Sequence, residues 1–133
     1  METINVKTTQ QSEFLDITPQ VEDIVKRGNV ISGICYVFVP HTTAGITINE
    51  NADPNVIRDI IMELNKIVPL DDHYTHGEGN SAAHIKSSMM GCSQEILIEK
   101  GSLALGTWQS LFFCEFDGPR SRMVWVRVMG EKG

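Results

Sequence analysis

Three histidines, His41, His76 and His84, are the side chains whose type and setting in this sequence best suit chemistry. Imidazole exchanges protons near neutral pH and is a common metal ligand. Three neutral imidazoles can bind a divalent ion and leave a fourth position open, as in catalytic zinc sites. Each also has a structural interpretation: a turn hydrogen bond for His41, an exposed loop for His76, and packing at the core edge for His84. The fourth histidine, His73, stands beside two aspartates and is interpreted as a solvated loop residue.

Polar residues near these histidines supply the other groups that a site needs. Glu78 lies in a glycine-rich segment and can orient a metal-bound histidine or act as a general base. Thr42 and Thr43 offer two hydroxyl groups directly after the first histidine, and Asn80 follows the glycine-rich segment. We expect these three side chains to position a ligand. The predicted catalytic groups are one carboxylate and two imidazoles: His41, Glu78 and His84.

Two further segments carry candidate ligand-binding groups. Alternation over residues 107–117 places Gln109 and Glu115 on a face shared with apolar side chains, which indicates an interface or a pocket. The same alternation places Trp108 on the opposite face, in an aromatic row that points to the core. Arg120 and Arg122 follow a turn signal and can pair with acids or bind a phosphate, although arginines in a turn are more often simply solvated.

The acidic balance of the chain limits its partners. Eleven Lys and Arg residues face 17 Asp and Glu residues, a formal net charge of −6, which argues against general binding to nucleic acid or to anionic membranes. No apolar run approaches the roughly 20 residues that cross a bilayer. The N-terminus lacks the order of a secretory signal. Two of the three cysteines, Cys35 and Cys114, lie in apolar segments, so we expect inert thiols and a cytosolic protein.

The first part of the chain alternates between strand and helix patterns. Residues 3–9 and 11–15 are predicted strands. A helix follows, with Thr18 as its cap, Pro19 in its first turn and Gly28 at its end. Residues 34–39 are apolar on both faces and predict a central strand that is covered from two sides.

Beyond residue 40, a strand over residues 45–49 precedes a second helix that opens at Asp53-Pro54 and stops at Pro69. Its apolar stripe has helical spacing and consists of Ile57, Ile60, Ile61, Leu64, Ile67 and Val68. Residues 70–79 predict a loop. Asn80 is the expected cap of a short helix that runs through Met90, although this segment also permits a strand.

Three more strands are predicted at residues 95–99, 107–116 and 123–129, divided by turn signals. Most connections are too short for parallel crossovers, so the sheets should be mainly antiparallel. The expected fold is therefore a single α+β domain over residues 1–133, a sandwich of mainly antiparallel sheets with two to three helices. The common nucleotide, zinc-protease and hydrolase signatures are absent from the sequence.

Several segments resemble the blocks of one protein family. The run Ser93-x-x-Ile96-x-Ile98-x-x-Gly101, followed by Gly106-Thr107-Trp108-Gln109-x-Leu111, resembles the signature of the YjbQ-like family. Further blocks match in the same order: Pro40-His41-Thr42-Thr43-Ala44, Asn49-Glu50-Asn51-Ala52-Asp53-Pro54, His76-x-Glu78-Gly79-Asn80, Ala83-His84-Ile85-Lys86 and Cys114-Glu115-Phe116-Asp117-Gly118-Pro119-Arg120. The resemblance covers nearly the whole chain.

The resemblance implies a β-rich α+β fold, a homotrimer and a polar site near the subunit boundaries. It points to His41, His76 and His84 and not to His73. It also implies a weak secondary thiamine-phosphate synthase activity, which joins a pyrimidine diphosphate to a thiazole phosphate. That reaction needs a cation at the leaving diphosphate. An all-histidine site suits zinc better than magnesium.

Two functions are expected from these observations. The first is a trimeric, metal-dependent enzyme that acts on a small phosphorylated metabolite, with Gln109 and Arg120 among the ligand-binding residues. The second is a module that binds a metabolite or metal in the same pocket without catalysis.

Overall fold

The computed structural model describes all 133 residues, which form eight strands and three helices. The strands are β1 (Glu2–Lys7), β2 (Glu13–Asp16), β3 (Val30–Phe38), β4 (Ala44–Glu50), β5 (Ser93–Glu99), β6 (Ser102–Leu103), β7 (Gln109–Glu115) and β8 (Ser121–Lys132). The helices are α1 (Thr18–Arg27), α2 (Pro54–Ile67) and α3 (Ser81–Met90). None of the three is long and apolar enough to span a membrane.

The strands form two sheets, one of five strands in the order β1-β8-β3-β5-β6 and one of three in the order β2-β7-β4. All strand pairs are antiparallel. Side chains from both sheets and from α1 share one apolar core, so the two sheets pack face to face. A smaller cluster joins α2 and α3 to the three-stranded sheet through Leu64, Ala83, Cys114 and Phe116. The predicted α+β architecture with antiparallel sheets is confirmed.

The first helix keeps its predicted stripe but not its predicted cap. Its buried residues are Val21, Ile24 and Val25, and a proline lies in its first turn as expected. The cap position belongs to Ile17, not Thr18. The Thr18 hydroxyl instead accepts a hydrogen bond from the Leu111 N–H of β7 at 2.8 Å. This contact fixes α1 on the three-stranded sheet, which explains why the hydroxyl does not cap the helix.

The second helix is capped as predicted but is less buried than its sequence suggests. The Asp53 side chain accepts a hydrogen bond from the Asn55 N–H at 2.9 Å, and Pro54 follows it. Within the apolar stripe only Leu64 and Val68 are buried, whereas Ile67 is 58% exposed. The helix therefore packs on the body through its C-terminal half.

The segment after Asn80, for which the sequence permitted a helix or a strand, forms the helix α3. It begins after Asn80, which holds the cap position, and ends at Gly91, whose φ of 87° suits glycine. Asn80 makes no capping hydrogen bond with its side chain. Its amide nitrogen donates to Asp117 Oδ2 at 2.9 Å instead. The predicted cap therefore joins the helix to the loop after β7.

β3 occupies the centre of the five-stranded sheet, as predicted, but only one of its faces is covered in the chain. Cys35 and Val37 are fully buried in the core. On the opposite face, Tyr36 and Phe38 are 38% and 41% exposed. The expectation that this strand is covered from two sides is therefore wrong for the single chain, because no helix packs on this face.

The strand predicted to begin at residue 107 begins at Gln109. The Gln109 N–H donates to the Gly106 carbonyl at 3.1 Å, which closes a turn before the strand. Trp108 stands in this turn and is 63% exposed, so its predicted place in the core is wrong. Cys35 and Cys114 are buried as expected, and burial raises the pKa of the Cys35 thiol to about 11.

Candidate functional site

His41 and His84 line one cavity of about 500 Å³, called the histidine cavity here. His41 follows β3, and His84 lies in the second turn of α3. Main chain and side chains from the start of β4, from α3 and from the segment before β5 complete the wall: Thr42, Ala44, Ser87, Ser88, Gly91 and Cys92. The structure thus brings together two of the three predicted histidines.

A close approach between α3 and β4 forms this cavity. A Cβ atom on Gly45 would lie 2.7 Å from the Gly91 carbonyl oxygen, so only glycine permits the contact. The Ile46 N–H donates to that same carbonyl at 3.1 Å. Ser87 Oγ donates to the Thr42 carbonyl at 2.6 Å and so ties α3 to the segment after β3. Local backbone contacts therefore fix the distance between the two histidines.

His41 is held in a single tautomer. Its Nε2 atom accepts a hydrogen bond from the Met123 N–H at 2.9 Å, which requires a lone pair on Nε2. In the neutral ring the proton therefore resides on Nδ1. Burial and the neighbouring Arg122 guanidinium lower the pKa of His41, and the Glu115 carboxylate opposes them only in part. His41 is thus a neutral hydrogen-bond donor at physiological pH.

His76 contacts His84 at the edge of the cavity. The two rings meet edge to face, with their centroids 5.3 Å apart. His76 Nε2 lies 4.0 Å from Glu78 Oε1, and the Glu78 side chain is 73% exposed. The ring nitrogens of His84 form no hydrogen bond within the chain. The predicted residues Glu78, His76 and His84 therefore form a row that runs from solvent to the cavity.

Asn80 and Arg120 lie together beside this row. Both donate to Asp117 Oδ2, Asn80 at 2.9 Å and Arg120 at 2.8 Å. The Asn80 side-chain oxygen is buried and has no hydrogen-bond partner. Arg120, one of the predicted ligand-binding residues, is half exposed and pairs with an acid rather than standing free.

A buried ion pair lies behind the histidine cavity. Arg122 donates to both carboxylate oxygens of Glu115, and these side chains are 6% and 0% exposed. Thr8 and Thr43 complete this group, called the ion-pair cluster here: Thr8 Oγ1 donates to Glu115 at 2.8 Å, and Thr43 Oγ1 accepts from Arg122 at 2.9 Å. The pairing of Arg122 with an acid, one of the alternatives from the sequence, is thus the one that the structure shows.

The structure places two predicted ligand-binding residues outside the histidine cavity. Thr43 is 7% exposed, and its hydroxyl is occupied by Arg122. Gln109 pairs with Glu50 at the far end of β4, whereas the cavity adjoins Ala44 at the near end. The two ends are six positions apart, a span of about 20 Å along a strand. Gln109 therefore lies far from the histidines, with its side-chain oxygen bonded to the Gly106 N–H.

Comparison with known proteins identifies the family. The model of the UPF0047 protein YjbQ-like family matches residues 2–131. The chain belongs to this UPF0047 family. A UPF0047 protein of Methanocaldococcus jannaschii is 54% identical over 127 residues, covering 96% of this chain and 92% of the relative. The UPF0047 protein YugU of Bacillus subtilis is 47% identical over 131 residues, covering 98% and 99%.

Solved structures agree with the fold. An uncharacterised conserved protein of the YjbQ/UPF0047 family from Clostridium acetobutylicum superposes with a TM-score of 0.96 at 53% identity, covering 97% of this chain and all of that one. A protein of unknown function from Sulfolobus solfataricus gives a TM-score of 0.94 at 35% identity, covering 98% and 96%. The resemblance to the YjbQ-like family and the α+β fold are confirmed.

The three-histidine metal site does not form within one UPF0047 chain. No three His, Cys, Asp or Glu side chains lie close enough together to hold one ion. His41 is also a poor ligand, because Nε2 accepts the Met123 N–H and Nδ1 carries the proton. Only His76 and His84 remain close to each other with unbonded nitrogens.

Sequence reasoning missed Ser87, Ser88 and Cys92, which line the cavity. The two serines follow His84 by three and four residues, so the predicted helix already placed them on the histidine's face. The main-chain segment at Gly91 and Cys92 carried no comparable signal. Its position depends on contacts with β3 and β4, which are distant in sequence.

Proposed function

We propose that this UPF0047 protein is an enzyme that acts on a small phosphorylated metabolite in the histidine cavity. The proposal rests on the observation that two half-buried imidazoles, those of His41 and His84, line one cavity together with three hydroxyl groups. Its volume of about 500 Å³ suits a small ligand. Imidazoles and hydroxyls are the groups that exchange protons with a ligand and bind its oxygens.

The two histidines differ in the role that each can take. His41 has a fixed Nδ1–H and donates a hydrogen bond to a ligand oxygen. His84 has no hydrogen-bond partner in the chain and is the ring free to exchange a proton. His76 and Glu78 orient His84 from the solvent side, and Thr42 positions the ligand.

The two nearby arginines are paired with acids, and the nearby lysine is bonded to a neutral amide. Arg122 is bonded to Glu115, and Arg120 to Asp117. Lys86 is buried and donates to Asn65 Oδ1, and burial lowers the pKa of this lysine. A phosphate in the cavity would therefore be bound by hydrogen-bond donors of the chain, with further positive charge supplied by protonated imidazole or by a metal.

A divalent metal, zinc before magnesium, stays a prediction for the assembled protein. His76 and His84 can supply two of the four ligands that zinc needs. The remaining ligands would come from outside the chain, from the substrate or another copy. Metal analysis of the purified protein and of a His84→Ala variant tests this prediction: equal metal content in both would overturn it.

The reaction to test first is thiamine-phosphate synthesis, which the family resemblance implies. A bond forms between the methylene carbon of the pyrimidine diphosphate and the nitrogen of the thiazole phosphate. The C–O bond to the diphosphate breaks, and diphosphate leaves with its electron pair. Donors in the cavity would stabilise that leaving group.

The experiment incubates purified protein with both substrates and either Mg²⁺ or Zn²⁺ and follows product over time. His84→Ala should lower turnover by about 100-fold or more, because His84 would give a proton to the leaving diphosphate oxygen and general-acid catalysis contributes that much in comparable sites. His73→Ala is the matched control, since His73 is exposed in the loop outside the cavity and should leave turnover unchanged. Full turnover in His84→Ala would contradict the assignment.

A non-catalytic binding module is the second candidate. It is favoured because both arginines near the cavity are paired with acids and because no three-residue metal group lies in the chain. Titration calorimetry with the pyrimidine diphosphate distinguishes the two. Tight binding that His84→Ala abolishes, without product under any metal, indicates the module.

The proposal includes a homotrimer and a cytosolic location, both of which stay predictions. The exposed apolar residues on the central strand of the five-stranded sheet support an oligomer, because solvent-facing sheet surfaces are usually polar.

A further inference from the structure

The five-stranded sheet has an apolar outer face opposite the core. Register places two rows of apolar side chains across β8, β3 and β5: Trp125 beside Phe38, and Met129 beside Ile34 and Leu97. Leu97 and Met129 are 59% and 56% exposed. The rings of Phe38 and Trp125 stack, with their centroids 5.9 Å apart. These residues, with Tyr36, define the outer sheet face.

A strand at the edge of the same sheet shows that this surface is unusual. In β1, Ile4 and Val6 point to the core, whereas Thr3, Asn5 and Lys7 point outward. That alternation is typical of a sheet with one face in water. In β3 and β8, at the centre of the sheet, the outward side chains are largely apolar instead. The apolar surface is therefore confined to the central strands and bounded by a polar edge.

Charged groups of opposite sign lie on the two flanks of this face. Tyr36 pairs with Arg127 of β8 on one side and with Glu95 of β5 on the other. The two flanking residues are two strand spacings, about 10 Å, apart. Both are exposed, and neither forms an ion pair within the chain. In this row the basic residue Arg127 thus lies on the β8 side and the acidic residue Glu95 on the β5 side.

We propose that neighbouring copies of this chain cover one another's outer sheet faces head to tail, with Arg127 of one copy paired to Glu95 of the next. Three copies close a ring only through contacts between two different flanks, and the two flanks of this face carry opposite charges. This inference rests on the homotrimer of the proposed function and adds its surface, its direction and its ion pair. Burial of the apolar rows provides the driving force, and the ion pair sets the orientation.

The same arrangement places the histidine cavity at a boundary between copies. Met123, whose N–H binds His41, projects its side chain outward in β8 and is 40% exposed. It therefore lies at the end of the outer sheet face. A neighbouring copy on that face borders the wall of the cavity.

Charge reversal tests the ion pair. The full-length protein, Arg127→Glu, Glu95→Arg and the double variant are compared by light scattering during size-exclusion chromatography over a dilution series. The parent should have the mass of three chains. Each single variant should raise the concentration of half-dissociation by about 100-fold, because like charges then meet across the interface. The double variant should restore the parent's mass, and Lys26→Glu, the same charge change on α1, should have no effect.

The outcomes separate the inference from the proposal on which it rests. A trimeric parent whose mass neither single variant changes, or singles that dissociate without rescue in the double, overturns the ion pair and leaves the homotrimer standing. A dimeric or monomeric parent overturns both the head-to-tail ring and the homotrimer. Turnover in the histidine cavity is measured separately. If a reversed variant fails to fold by circular dichroism, Arg127→Gln and Glu95→Gln replace it; independent effects in their double variant would then overturn the pair.

Discussion

The ion-pair cluster and the histidine cavity are neighbours in the chain and in space, but their polar atoms differ in how fully they are hydrogen-bonded and shielded from water. Thr43 belongs to the cluster and Thr42 to the cavity; Arg122 belongs to the cluster, and the Met123 N–H binds His41. In the cluster, both carboxylate oxygens of Glu115 are bonded and shielded from water. In the cavity, His41 Nδ1 and both ring nitrogens of His84 form no hydrogen bond within the chain, and both side chains are partly exposed.

This difference separates polar groups that support the fold from polar groups that are free for a ligand. A buried polar atom without a hydrogen-bond partner lowers the stability of the fold, so most buried polar atoms in folded proteins have one. An imidazole at a cavity wall can keep its nitrogen free because water solvates it until a ligand arrives. The two regions are also coupled, since the Arg122 guanidinium helps to lower the pKa of His41.

The largest expected effect comes from breaking the ion-pair cluster. Glu115→Ala leaves Arg122 buried without its carboxylate, and we expect the free energy of unfolding to fall by about 3–5 kcal/mol. Denaturant titration at fixed protein concentration measures the change. Glu63→Ala is the control, because Glu63 pairs with Lys66 on the surface at 3.9 Å and such pairs are worth about 1 kcal/mol or less. Equal losses in both variants would contradict the distinction between the two regions.

The next effect concerns the contact that holds the cavity together. Gly45→Ala adds a Cβ atom 2.7 Å from the Gly91 carbonyl oxygen, so α3 must move away from β4. We expect a loss of about 1–3 kcal/mol, as for overpacking elsewhere. Binding of the pyrimidine diphosphate should weaken as well, because the displacement separates His41 from His84. Gly77→Ala, in the open loop with no atom near its Cβ, is the control. Unchanged binding in Gly45→Ala would show that the spacing of the two histidines does not matter.

The sequence predicts the elements well because hydrophobic periodicity is local. The stripe of α1, the Asp53 cap and the antiparallel strands follow from neighbouring residues. Thr18 and Asn80 show where local rules fail, since each side chain finds a partner far along the chain, Leu111 and Asp117, instead of capping its own helix.

The candidate site, too, could be predicted from the sequence only in part. The histidines were identified by residue type and local setting. The sequence could not decide whether Arg122 is solvated or paired with an acid, because its partners come from other segments. Glu115 lies on the other side of a turn, and Thr43 directly precedes a strand of the other sheet. The exposure of Trp108 and of the outer sheet face likewise depends on what packs there and not on the sequence pattern.

A smaller effect links the two regions through pH. The folded pKa of His41 is lowered, so the unfolded chain binds this proton first as the pH falls. Stability contributed by His41 is therefore present above the unfolded pKa of about 6.5 and is lost as the pH falls through the folded pKa. Glu115 also has a lowered pKa, because hydrogen bonds from Arg122 and Thr8 outweigh the opposing effect of burial. Its contribution is lost only below about pH 4.3.

The two pH windows can be separated by one variant. His41→Gln keeps a side-chain acceptor for the Met123 N–H but does not titrate. Unfolding free energies measured at intervals between pH 7 and 5 should decline more steeply in the parent than in His41→Gln. Once the pH lies below the folded pKa of His41, the two curves should run parallel, since Glu115 is intact in both. Parallel curves over the whole range would contradict the lowered pKa of His41.

The smallest expected change in stability belongs to the residue with the most important proposed role. His84 forms no side-chain hydrogen bond, so His84→Ala should change the free energy of unfolding by only about 0.5 kcal/mol. Loss of the contact with His76 opposes the better helix propensity of alanine. Binding of the pyrimidine diphosphate should nevertheless weaken by about tenfold or more, the size of a lost charged hydrogen bond. Calorimetry and denaturation on the same sample measure both quantities. A large loss of stability with unchanged binding would place His84 with the ion-pair cluster, as a residue that supports the fold.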